Sequence, residues 1–255
     1  AGLAAAMYAG RLEMKTLLLA DNMGGTITLT DLVENYPGFK RLTGQELADN
    51  LKEHALDYKE NIDMKEERAE KIEKNPSGSL VGLPISVKDG ICVKNIESTA
   101  GSEILKDYRP PFSATVINKL EKEGAIIIGK TSQDEFGFGG FSVNTKKIPK
   151  NPHDLSRTCG GSSGGAAGFT AFTTQPHIAL GESTGGSIAN PSSFCGVAGL
   201  TPTYGLVSRY GLIDYANSLD KIGTLGKTVS DAFLGLYHIA GYDEKDSTSL
   251  PRRML

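Results

Sequence analysis

Apolar positions along the chain fall into two rhythms. Short continuous apolar runs at 15–20 (KTLLLA), 80–87 (LVGLPISV), 125–128 (AIII) and 177–180 (HIAL) predict buried strands, with a shorter one at 91–93. Helical spacing predicts helices over 2–11, over 43–58 behind a Thr43 cap, over 115–123 up to a stop at Gly124, and over 230–241 with Ser230 as cap and Asp231 at the favourable end. Residues 132–140 (SQDEFGFGG) read as a glycine-aromatic loop, 148–156 as an exposed loop with two prolines, and 194–211 as short apolar runs punctuated by glycine. Strands alternating with helices predict α/β layering around a largely buried sheet.

Between the two halves lies a charged stretch, 57–75 (DYKENIDMKEERAEKIEKN), with few apolar anchors. Its helix propensity and Glu–Lys pairs, such as Glu67 with Lys71, predict a solvated helix or linker. Pro76-Ser77-Gly78 ends it and places a domain boundary between Ala55 and Pro76, dividing the chain into 1–58, a charged helical linker at 59–76, and 77–255.

Composition narrows the classes. The 255 residues are 39% apolar, enough for a core, and the net charge of −3 is dispersed, which argues against a strong nucleic-acid face. Three widely spaced cysteines, Cys92, Cys159 and Cys195, argue against a disulfide framework and fit a reducing, cytoplasmic location. No Cys/His spacing suits a metal, no apolar run approaches a membrane span, and residues 1–11 lack the basic and apolar regions of a signal peptide. The chain begins without Met and stops without a closing element, so it reads as a fragment at both ends.

The chemistry concentrates in 159–191, where two serine-bearing glycine clusters, GGSSGG at 160–165 and GGS at 185–187, bracket an apolar run. Such loops bring backbone N–H groups close to negative charge, on a phosphate or an oxyanion. GGSSGG also runs into an expected helix start, which would put its amides at a positive helix end. A nucleophilic serine needs a base. None of His54, His153, His177 and His238 sits in a motif. Lys88, at the end of an apolar strand, is a candidate if burial lowers its pKa, and a surface lysine is the alternative. Ser187 follows Thr184-Gly185-Gly186, whose amides suit an oxyanion hole, a phosphate turn or a plain turn. No Walker-type string is present.

GLPISVKD, GGSSGGAAG, ESTGGSIANP and FCGVAGLTPTYGLVSRYGLIDYANSLDKIG, in that order, resemble the amidase signature family. Within it the chain is similar to A subunits of glutamine-dependent aspartyl/glutamyl-tRNA amidotransferases, closest to archaeal forms, from about residue 78 to 249. The resemblance implies a mixed sheet flanked by helices, C-terminally truncated. It also implies a Ser–Ser–Lys triad: Ser187 as nucleophile, Ser162 as a bridging serine on a cis peptide, Lys88 as base, with the amides of Thr184, Gly185, Gly186 and Ser187 as oxyanion hole. Ser163 is the adjacent serine that is easily mistaken for the bridge. It further implies hydrolysis of glutamine through an acyl-enzyme that needs no buried carboxylate, and ammonia passed to B and C partner subunits that bind tRNA and use ATP and Mg. No cofactor is implied for the core itself. Two departures stand out: Ser187-Ile188-Ala189-Asn190-Pro191 stands where the family has SIRxP, without its arginine, and Ser162 and Ser187 lie 25 residues apart, one more than expected. A general amidase and an inactive fragment are the alternatives.

A second resemblance covers residues 1 to about 58. AGLAAAMYAGR, KTLLLADN, GGTITLTDLVENYPGF and TGQELADNLKEHA are similar to the N-terminal flavin-binding part of thioredoxin reductase, a partial Rossmann-like fragment. Gly24, Gly25 and Asn35 match positions that touch FAD in that family. That family's leading glycine loop and redox cysteine pair are absent here, so these three residues are expected to be turn residues without bound FAD, and a flavin oxidoreductase is the remote alternative.

Overall fold

The computed structural model describes residues 16–20, 28–29, 31–33, 41–57, 60, 62–66, 78–145 and 147–250. The chain divides into two compact units, Ala1–Lys74 and Asn75–Leu255.

In the first unit, strand β1 (Thr16–Ala20) pairs in parallel with β2 (Ile62–Glu66), and helix α1 (Gly44–Leu56) lies between them in the chain. Thr43 caps α1 as expected. Its hydroxyl accepts from the Glu46 N–H, and the Glu46 carboxylate accepts from the Thr43 N–H, a reciprocal pair that satisfies two exposed donors. Leu47 of α1 packs with Val33 and Leu42 in a small buried cluster. Residues 62–66 correct the expectation of a helix through the charged stretch. The run Ile-Asp-Met-Lys-Glu alternates apolar and charged residues, and a strand partner more than forty residues upstream overrides its helix propensity. The helix expected at 2–11, and Gly24, Gly25 and Asn35, lie outside the described residues.

The second unit is a five-stranded mixed sheet with helices on both faces. Its strands are β3 (Pro84–Lys88), β4 (Ile126–Thr131), β7 (Ile178–Ser183), β8 (Ala198–Leu200) and β9 (Lys221–Gly226), in the order β4-β3-β7-β9-β8. The β4, β3 and β7 strands are parallel, while β9 runs antiparallel to both β7 and β8. Helices α2 (Thr115–Lys122) and α5 (Val229–Ile239) cover one face, where Val116, Ile117, Leu120 and Ile239 bury against Ile85, Val87, Ile178 and Leu180. Helices α3 (Gly164–Phe172) and α4 (Ala189–Cys195) cover the other, where Ala166, Ala167 and Cys195 meet Ala179 and Leu225. Gly124, with φ +85°, ends α2 where expected.

Several expectations shift in detail. Residues 80–83 form turns before β3 begins at Pro84, and 91–93 contribute only a bridge from Ile91 to Leu212. Helix α5 starts two residues early, so its cap is Thr228, paired reciprocally with Asp231, rather than Ser230. The expected loop at 148–156 holds most of a small antiparallel hairpin, β5 (Lys150–Asn151) and β6 (Asp154–Thr158). Most of β6 is exposed, so no apolar alternation advertised it. All three cysteines are buried thiols, and no helix among the described residues is long and apolar enough to cross a membrane.

Candidate active site

Alternation along β3 sends Ile85 and Val87 into the large apolar cluster and turns Ser86 and Lys88 to the opposite face. The strand ends there, leaving Lys88 among the largest fully buried side chains. Its Nζ lies 2.8 Å from Ser162 Oγ, 3.1 Å from the Glu182 main-chain oxygen and 2.8 Å from Glu182 Oε2. Burial pushes the Lys88 pKa down, and the Glu182 carboxyl pulls against that shift without reversing it.

Ser162 is fully buried and follows a cis peptide bond from Gly161. Its loop is clamped by neighbours. The Gly161 N–H donates to Asn190 Oδ1 at 3.0 Å, the Gly164 N–H to Ser142 Oγ at 3.2 Å, and the Gly165 N–H to the Ser132 carbonyl at 3.1 Å. These amides are spent on protein acceptors, which corrects the expectation that GGSSGG offers a positive helix end to a ligand. A Cβ at Gly161 would stand 2.3 Å from Asp134 Oδ2, so the close approach of the loop to that buried carboxylate requires glycine. Asn190, which occupies part of the divergent SIRxP site, ties α4 to the serine loop.

Ser187 sits half-buried at the end of the TGGS loop that leaves β7. Its carbonyl accepts from the Ser163 N–H at 3.2 Å, which joins the two serine loops. Ser163 is occupied differently from Ser162, its hydroxyl donating to the Glu182 carbonyl at 3.0 Å. The Lys88–Ser162 contact is formed, whereas Ser187 Oγ makes no hydrogen bond among the described residues. The amides of Gly185, Gly186 and Ser187 likewise donate to no protein acceptor among the described residues, and a Cβ at Gly185 or Gly186 would meet open space.

Sequence reasoning missed three buried carboxylates. Glu182 faces Lys88, Asp220 accepts from Thr184 Oγ1 at 2.6 Å and from the N–H groups of Tyr215 and Ala216, and Asp134 accepts from the N–H groups of Ser142 and Asn144. Beside the relay expected to need no buried carboxylate, the structure places the Glu182 carboxyl 2.8 Å from Lys88 Nζ. For Glu182, an acidic residue following an apolar run and standing two residues before Thr184 of TGGS was the available signal. Gly137, from the glycine-aromatic loop, lies beside Glu182 and Ser162.

The histidines serve elsewhere. His177 is buried between Ser86 and Thr170, and burial, with Lys227 nearby, pushes its pKa down to about 4. His153 binds the Cys195 carbonyl and His238 meets Ser79. No group of three or more metal-binding side chains occurs among the described residues.

The amidase family profile matches residues 45–254. Among curated relatives, the glutamyl-tRNA(Gln) amidotransferase A subunit of Trichodesmium erythraeum is 51% identical over 199 residues, 78% of this chain and 40% of that protein. The chloroplastic/mitochondrial A subunit of Arabidopsis thaliana is 45% identical over 230 residues, 89% of this chain and 42% of that protein. The crystal structure of the corresponding A subunit from Thermotoga maritima superposes with a TM-score of 0.66 at 44% identity, over 69% of this chain and 39% of that one. The chain therefore spans about two fifths of the length of the relatives it matches. The profile begins inside the segment that resembles thioredoxin reductase, and nothing in these matches supports a flavin-binding fragment there. The matched span, the mixed sheet and the order of the serine and lysine motifs agree, and the chain belongs to the amidase family.

Proposed function

We propose that the unit from 75 to 255 hydrolyses the side-chain amide of glutamine through an acyl-enzyme on Ser187. The observation that carries this reading is the fully buried Lys88 Nζ, 2.8 Å from Ser162 Oγ, in a loop bonded to the backbone of Ser187. Neutral Lys88 takes a proton from Ser162, and Ser162 takes one from Ser187. Ser187 Oγ attacks the amide carbon, and the amides of Thr184, Gly185, Gly186 and Ser187 hold the oxyanion. The proton returns through the same two groups to the departing ammonia, and water then releases glutamate. Binding of substrate draws Ser187 Oγ toward Ser162, since catalytic hydrogen bonds tighten in the bound complex.

The similarity to amidotransferase A subunits extends this proposal. The ammonia passes to B and C partner subunits, which bind the misacylated tRNA and use ATP and Mg in a cytoplasmic assembly. The core itself uses no cofactor, and FAD plays no part in this reading. Ser187→Ala is expected to abolish ammonia release from glutamine, assayed with and without partner subunits. Unchanged release would refute the assignment. Faster turnover of a simple aliphatic amide than of glutamine would make the protein a general amidase.

A further inference from the structure

We propose that Glu182 is a positioning residue that acts as an uncharged acid, its Oε1 proton directed at Thr184 and its Oε2 turning the Lys88 amine lone pair toward Ser162. The inference rests on the reading of Lys88 as the base.

A count of protons carries it. Thr184 Oγ1 stands 2.6 Å from Asp220 Oδ1 and 3.0 Å from Glu182 Oε1. A hydroxyl has one hydrogen and can donate to only one of these oxygens. The shorter contact takes it, as expected for a hydroxyl facing a carboxylate. Asp220 Oδ2 accepts two further bonds, from the N–H groups of Tyr215 at 2.7 Å and Ala216 at 2.8 Å. The remaining contact then sets a lone pair of Thr184 against Glu182 Oε1. It becomes a hydrogen bond only if Glu182 brings the proton.

A count at Lys88 fits the same arrangement and bears on the lysine's own state. Its Nζ has three oxygen neighbours: the Glu182 main-chain oxygen, Glu182 Oε2 and Ser162 Oγ. With Glu182 protonated on Oε1, its Oε2 is a carbonyl oxygen and, like the main-chain oxygen, can only accept. A neutral amine donates two hydrogens and accepts one. Only the Ser162 hydroxyl can donate, so the lone pair points there, as a base requires. In the alternative ion pair, an ammonium donates to all three neighbours and has no lone pair for Ser162.

Burial is the largest influence on Lys88 and pushes its pKa down, while Asp134 and Asp220 at longer range pull it up. Lys88 and Glu182 are both nearly excluded from water, where a separated charge pair gains least. When Lys88 takes the Ser162 proton, the ammonium forms beside the neutral acid and the two backing carboxylates. Glu182 keeps its own proton throughout.

The test uses the full chain with Glu182→Ala and Glu182→Gln. A glutamine side chain mimics the un-ionised acid, its amide donating to Thr184 and its carbonyl accepting from Lys88. Labelling of Ser187 by a fluorophosphonate is followed against pH. Glu182→Ala is expected to slow labelling by about 10-fold or more, and Glu182→Gln to restore most of the loss with the acid limb where the wild type has it. A limb moved to lower pH in Glu182→Gln would show that a carboxylate had been holding Lys88 charged, and would overturn the proposal. So would Gln labelling as slowly as Ala. Infrared spectroscopy reads the acid independently: a C=O stretch of an un-ionised carboxyl is expected in the wild type and absent in Glu182→Gln. If the wild type fails to label, the proposed hydrolase reading falls, and the infrared band alone decides the state of Glu182. Thermal melts confirm that both variants are folded.

Discussion

Lys88 and His177 show how burial selects a protonation state. Both are basic groups enclosed by the second unit, and burial pushes both pKa values down. For Lys88 the consequence is chemical, because only the neutral amine can take a proton from Ser162. For His177 it is structural. The ring spans Ser86 of β3 and Thr170 of α3, and its pKa falls from 6.5 to about 4. The unfolded chain therefore binds a proton that the native state refuses. Stability attached to His177 is present above pH 6.5 and is lost as pH falls toward 4, by on the order of 3 kcal/mol in full. Urea unfolding at stepped pH should show that loss in the wild type, and His177→Gln should flatten it; an unchanged slope would remove His177 from the account. The sequence pointed to Lys88, Ser162 and Ser187 through motif order. It did not point to Asp134 or Asp220, which no apolar run flags, and for Glu182 the apolar run before it signals burial but not the partner it will face.

At the scale of elements, reciprocal caps start both α1 and α5. The sequence identified Thr43 but passed over Thr228, since threonine, valine and serine in succession offer two start sites and only the packing of α5 on β9 selects one. Thr228→Ala should cost about 1 kcal/mol. Ser230→Ala, at an exposed site within the first turn, should change stability by less than about 0.5 kcal/mol. Denaturant midpoints of the two variants rank the caps, and equal losses would return the role to Ser230. The strand at 62–66 and the hairpin at 150–158 were hidden for related reasons. One lies in a run of charges, the other has a largely exposed strand, and both depend on pairing that local propensity does not encode.

Across the whole molecule, the lysine, both serine loops and the three buried carboxylates all belong to the unit from 75 to 255. Leu180, fully buried at the centre of that unit's larger apolar cluster, supports β7 just before Glu182. Leu180→Ala should cost about 2–5 kcal/mol and reduce Ser187 labelling as the unit loosens. Leu47→Ala, in the small cluster of the other unit, should leave labelling unaltered. Equal loss of labelling in both would mean that the site depends on both units. The order of apolar runs pointed to the α/β class, and the resemblance carried by the glycine-serine and lysine motifs pointed to the family and the three triad candidates, since those features reside in adjacent residues. Which amides the serine loop spends on its neighbours, and which carboxylate meets the lysine, were decided only when strands distant in sequence came side by side and excluded water between them.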